Sequence, residues 1–187
     1  MNVNEKGHDL NISGLWLQNI TGAGVTVAIV DDGIDYTHPD LSDNFCKEGS
    51  YDFNRERSLP MPEEHDDVHG TRCAGEIAAG RNSHCGLGVA YGARVSGIRI
   101  LSGLVTFTQQ AAATTYAYQT NDIYSCSWGP PDDGMAMEGP NPIVKDAIVK
   151  GVTHGRGGKG SIYVFANGNG GIFGDNWYAL VRILTRK

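Results

Sequence analysis

Residues 24–30, Gly-Val-Thr-Val-Ala-Ile-Val, form a nearly unbroken apolar run that stops at Asp31-Asp32-Gly33. A strand with one wet face alternates apolar and polar residues, so a run without alternation must be covered on both faces. Three more short β-prone runs follow at 95–101, 123–127 and 161–166, with helix-compatible stretches at 69–79, 108–118 and 141–153 between them. In the last of these Asn141 suits the cap and Pro142 the first helical position, while Ile143, Val144, Ala147, Ile148 and Val152 fall on one side. Strands alternating with helices predict an α/β fold, a parallel sheet with helices on both faces. Ligands of such sheets bind at the carboxyl ends of the strands. Residues 45–66 read as a polar, proline-containing loop, and the end of the chain leaves one sheet edge with little to cover it.

With 187 residues and 40% hydrophobic content, the chain is sized for one domain with a sizeable core. A net charge of −6 argues against nucleic acid as a partner and suits cationic ligands or metal ions. No apolar run approaches the roughly 18 residues of a membrane span. The opening residues 1–7 carry no signal-peptide pattern. Of the cysteines, Cys73 and Cys126 read as buried free thiols. Cys46 and Cys85 lie in loops where pairing is open, and without a C-x-x-C pair the sequence gives no support to thiolate-bound zinc.

Three segments carry chemistry. Asp31 ends an apolar strand, His69 opens a helix of small residues (His69-Gly70-Thr71-Arg72-Cys73-Ala74-Gly75), and Asn169 follows another strand within Gly168-Asn169-Gly170-Gly171. An aspartate that orients a histidine, a histidine that shuttles a proton, and an amide that stabilises an oxyanion make up most of a nucleophilic hydrolase site. Each residue alone reads equally well as turn or cap chemistry; the combination gives the functional reading its weight. The nucleophile should follow, yet no serine occurs after Ser161, so these 187 residues alone are expected to be inactive. A zinc reading of His65-Asp66-Asp67-Val68-His69 fails on two counts. Asp stands where the motif requires Glu, and helix-compatible sequence begins only near His69.

In these segments, and in 97–103 and 121–130, the chain resembles the subtilisin superfamily and, within it, the kexin and furin proprotein convertases, fungal kexins above all. The likeness runs over residues 8–176, a partial peptidase domain, with 177–187 a divergent tail. It implies a subtilisin-like fold of which the chain holds roughly the first half of the catalytic domain. It also implies a calcium-dependent serine endopeptidase that cleaves proproteins and peptides after Lys-Arg or Arg-Arg, with Asp31, His69 and Asn169 as acid, base and oxyanion residue. Asp32, Asp66, Asp67, Asp132 and Glu138 match acids that receive basic side chains, while Gln110 replaces an acid common among relatives. For Ca²⁺ the resemblance supplies Asp40 with oxygens of Gly80, Asn82, His84 and Gly86, and Asp175 for a second ion; hard oxygens on a tight loop suit that metal. It implies the secretory pathway, in the Golgi or at the cell surface. The rival reading is a non-catalytic fragment that binds basic peptides in an acidic cleft.

Overall fold

The computed structural model describes residues 7–84, 86–133, 135 and 139–173. Their centre is a five-stranded, wholly parallel sheet in the order β2-β3-β1-β4-β5. The strands are β1 (Thr26–Asp31), β2 (Tyr51–Asp52), β3 (Arg94–Arg99), β4 (Ile123–Cys126) and β5 (Ile162–Phe165). The apolar run at 24–30 becomes β1, the middle strand, and every one of its residues is buried. Helices α1 (Ser13–Leu17), α2 (His69–Ala78), α3 (Phe107–Ala113) and α4 (Pro142–Gly158) complete the regular structure.

The pleat of β1 sorts its side chains between two cores. Ala28 and Val30 point to the face covered by α3 and α4, where they meet Ile98, Tyr124, Val144 and Ile148. Val27 and Ile29 point to the other face, against Ala74 and Ala78 of α2 and against Val95 of β3. Helices therefore cover both faces, as the absence of alternation requires. Cover is uneven. Ile162 and Val164 of β5 remain 47% and 52% exposed, and among the described residues β5 pairs with β4 alone.

Several expected elements change at their edges. The loop read at 45–66 contains β2, two residues paired to β3, too short to carry a periodic signal. Helix α3 stops at Ala113 rather than near residue 118, after an N-terminal capping box made by Thr106 and Gln109. Helix α4 is capped by Asn141, whose side-chain oxygen accepts the Ile143 N–H at 3.1 Å, and its regular dihedrals end at Gly155. Its inward stripe is Val144, Ile148, Gly151 and Gly155, whereas Ile143 and Val152 lie at the flanks, 47% and 36% exposed. Cys126 and Cys46 are buried free thiols, and Cys73 is free but only half-buried. Cys85 lies outside the described residues.

Candidate active site

Continuing the alternation of β1, Asp31 follows Val27 and Ile29 onto the α2 face, and α2 begins at His69. Both carboxylate oxygens of Asp31 lie on His69 Nδ1, at 2.9 and 3.0 Å. Asp31 Oδ1 also accepts the backbone N–H of Asp32 at 2.9 Å. An acceptor-only carboxylate requires the proton on Nδ1, which leaves Nε2 with its lone pair free on a side chain that is 56% exposed. Burial raises the Asp31 carboxyl above its ordinary value, and the bonds from Asp32 and His69 work against that rise.

The start of α2 is held by the neighbouring aspartate. Asp32 accepts the backbone N–H groups of His69 at 2.9 Å and Gly70 at 2.8 Å, two of the donors a helix leaves unpaired at its first turn. Gly70 permits this approach: a Cβ there would lie 2.3 Å from the Gly33 carbonyl and 2.9 Å from the Asp31 Cβ. The small residue after His69 is thus a condition for the Asp31–His69 contact. His65 precedes the helix, so it does not share a helical turn with His69.

A second polar cluster underlies the first. Arg99, at the end of β3, has a fully buried side chain. It donates to the Asp32 carbonyl at 2.9 Å, to Asp52 at 3.0 Å, to Asp67 at 2.7 Å and to Ser102 at 2.6 Å. Asp67 also accepts from Ser102 and from the backbone N–H groups of Glu63 and Glu64. Burial alone would raise the Asp67 carboxyl; the Arg99, Ser102 and backbone bonds outweigh it and hold the group below the usual range. Of the acids expected to meet basic side chains, Asp32 and Asp67 are therefore buried and bonded within the protein. Asp66 is exposed beside them.

Asn169 and Asp132 lie together: the Asn169 amide donates to Asp132 at 3.1 Å. Both line a small cleft of about 160 Å³ with Ser127, Trp128 and Pro130. Ser127 reaches toward Cys73, whose sulfur stands 3.8 Å from Ser127 Oγ and 3.7 and 3.8 Å from the two His69 nitrogens. Contacts thus run from Asp31 through His69, Cys73 and Ser127 to the cleft that holds Asn169. Trp128 is fixed from below by its indole N–H on the Val30 carbonyl at 2.9 Å. A neighbouring cleft of about 210 Å³ has Gln110, Trp128, Val144 and Phe165 in its wall. Arg99, Ser102, Cys73 and Trp128 were not among the expected site residues. Arg99 left a signal as a cation inside an apolar run, and Cys73 by its spacing of four residues from His69.

The expected calcium loop closes on Asp40. Gly80 donates its N–H to the Asp40 carbonyl at 2.7 Å, the Asn82 amide bonds the Asp40 carboxylate, and Asn82 Oδ1 accepts the His84 N–H. Gly86, with a φ of 132°, leaves its Cβ position 3.6 Å from the same carboxylate. The groups seen facing Asp40 are the Gly80 N–H and the Asn82 amide; the residue types of this tight loop offer the hard oxygens that suit Ca²⁺. Glu138 and Asp175 lie outside the described residues.

The Subtilase family model matches residues 22–180. The chain belongs to the subtilase family. It is 61% identical over 94% of its length to Protease KEX1 of Kluyveromyces lactis, of which it covers 23%. It is 60% identical to Kexin of Saccharomyces cerevisiae, covering 22% of that protein, and 52% identical to human proprotein convertase subtilisin/kexin type 7, again covering 23%. The chain thus spans less than a quarter of these relatives. Among solved structures, the serine protease of Aeromonas sobria superposes with a TM-score of 0.70 at 27% identity, over 83% of this chain and 27% of that one. The subtilase is of the kexin type, and its parallel sheet is part of the subtilisin-like fold.

Proposed function

We propose that this chain supplies the acid, the base and the oxyanion residue of a kexin-type, calcium-dependent serine endopeptidase that cuts after paired basic residues. The observation that carries the reading is the Asp31 carboxylate holding His69 Nδ1 at 2.9 and 3.0 Å, with Nε2 left free on a half-exposed ring. In that role Nε2 removes the proton of a serine hydroxyl as it attacks the scissile carbonyl, then returns it to the leaving amine. Asp31 keeps the tautomer and stabilises the imidazolium. Asn169 donates its amide to the oxyanion from the loop after β5. Asp66 and Asp132 are the carboxylates best placed to meet guanidinium and ammonium groups through charge-assisted hydrogen bonds. The name of one relative, the dibasic-processing endoprotease of Yarrowia lipolytica, which is 58% identical, supports that substrate class. Calcium on Asp40, Gly80, Asn82, His84 and Gly86 would stiffen the loop after α2. The compartment that goes with this reading is the secretory pathway; no described helix is long and apolar enough to cross a membrane.

The 187 residues contain no serine after Ser161, and beyond Asn169 the one aliphatic hydroxyl is Thr185. This polypeptide alone should therefore bind a Lys-Arg peptide without cutting it, which is also what the rival reading as a binder of basic peptides expects. Fluorescence anisotropy of a labelled Lys-Arg peptide tests the acidic subsites. Binding should weaken with salt and in Asp66→Asn and Asp132→Asn; binding indifferent to both changes would remove them. Turnover of a fluorogenic Lys-Arg peptide that disappears in His69→Ala would contradict the expected inactivity while supporting the base. Calorimetry should show one Ca²⁺ bound by the loop and lost in Asp40→Ala; no uptake would remove the calcium assignment.

A further inference from the structure

Helix α1 is the least covered helix of the fold, with none of its residues buried. Trp16 pins it on one side: the indole N–H donates to the Val89 carbonyl at 2.9 Å, and the ring meets Tyr91 edge-on at 5.6 Å. Leu10, Leu15, Leu17 and Ile20 are all left in solvent, Leu17 at 90% exposure. A single exposed leucine is ordinary; a cluster of apolar side chains marks a surface that something covers.

The pattern Asn-x-Ser/Thr, with the middle residue not proline, occurs in this sequence at Asn11-Ile12-Ser13 and at Asn19-Ile20-Thr21, and the two triplets flank α1. Both asparagines are exposed and both have a left-handed backbone, with φ of 51° and 60°. Local structure explains part of this. Asn19 ends the helix, its N–H on the Trp16 carbonyl and the Ile20 N–H on the Leu15 carbonyl, both at 2.9 Å. Such an end calls for glycine or asparagine, but it makes no demand on the residue two places further on. A hydroxyl side chain stands there in both triplets.

We propose that Asn11 and Asn19 accept N-linked oligosaccharides, and that the two glycans cover the apolar patch around α1. In the transfer, the side-chain amide nitrogen forms a bond to the anomeric carbon of a lipid-pyrophosphate-linked oligosaccharide. The bond from that carbon to the pyrophosphate oxygen breaks, the lipid pyrophosphate leaves, and the amide gives up one proton to the transferase. A bulky, hydrated glycan at each end of a five-residue helix shields leucines that the described residues leave open. The inference rests on the secretory compartment proposed above, where such transfer takes place.

The test expresses the whole chain in yeast behind a cleavable leader, so that entry into the pathway is supplied and leader removal reports it. Enzymatic glycan release in heavy-oxygen water turns each glycosylated asparagine into a labelled aspartate, which peptide mass spectrometry reads site by site. Both sites should be labelled. Asn11→Gly and Ser13→Ala should each abolish the first glycan alone, and Asn19→Gly the second alone. Glycine keeps the left-handed backbone, so circular dichroism should show the fold intact. After glycan release the chain should self-associate in analytical ultracentrifugation at concentrations where the glycosylated chain is monomeric. An unlabelled asparagine in leader-cleaved chain overturns that site, and equal behaviour with and without glycans overturns the covering role. Glycans on the leader-borne chain but none on the chain from its own cells would overturn the compartment and uphold the acceptor sites.

Discussion

Asp31 and Asp67 lie at the same end of one sheet, 2% and 6% exposed at their side chains, yet they are perturbed in opposite directions. Asp31 faces a titratable histidine that is half in water, and burial prevails, so its carboxyl is raised. Asp67 faces a buried guanidinium, a hydroxyl and two backbone N–H groups, and they prevail, so its carboxyl is lowered. The difference separates a working pair from a support. Arg99 holds Asp67, Asp52 and the carbonyl of Asp32 at fixed distances, and Asp32 in turn holds the first turn of α2, where His69 sits. A permanent, buried charge suits a scaffold; a histidine that must gain and lose a proton needs a carboxylate that fixes its tautomer and stabilises its cation.

The largest effect that would break this contrast is at Arg99. Arg99→Met leaves Asp67 buried without its cation and Asp52 with Arg57 alone, and should cost about 3–5 kcal/mol in urea unfolding. A cost near zero would mean that the cluster is not the support. Acid titration of stability sharpens the same point. Asp67 has a lowered carboxyl in the folded state, so its contribution is fully present above about pH 4 and fades as pH falls through its folded value. Asp31, raised, works with the opposite sign: ionised it subtracts stability, and the loss is recovered as pH falls through its raised value. Asp67→Asn should therefore flatten the stability curve below about pH 4. Asp31→Asn should remove the recovery above that value. Curves unchanged in both variants would contradict the assignment.

How much of this was legible in the sequence differs between the two aspartates. Asp31 could be read because it ends an apolar run and because His69-Gly70 opens a stretch of small residues. The strand alternation that points Asp31 at α2 is periodic and local. In sequence Asp67 reads as an acid for substrate, since adjacent acids on a loop look alike. Its real partner is Arg99, 32 residues away. That contact depends on β2 and β3 pairing next to a loop that carries no period. The one cue was Arg99 itself, an arginine within 95–101 that a doubly covered strand cannot leave unpaired. Cys73 shows the same limit. Helical spacing places it beside His69, yet only the close approach at Gly70 and the position of Ser127 show which way the pair faces.

Smaller effects refine the contrast. Ser102→Ala removes a hydroxyl bonded to both Arg99 and Asp67 and should cost about 1 kcal/mol by the same unfolding assay. Asp31→Asn should change stability at pH 7 by less than about 1 kcal/mol, because the removed charge is one that burial disfavours. A loss comparable to that of Arg99→Met would place Asp31 in the scaffold rather than in the working pair.

The most direct measurement is nitrogen-edited NMR of the His69 imidazole. The account predicts a neutral ring protonated at Nδ1, with a strongly deshielded, exchange-protected Nδ1 proton that disappears in Asp31→Asn and persists in Asp66→Asn. A His69 ring protonated at Nε2, or an Nδ1 proton indifferent to Asp31→Asn, would contradict the claim that Asp31 holds this histidine ready to accept a proton.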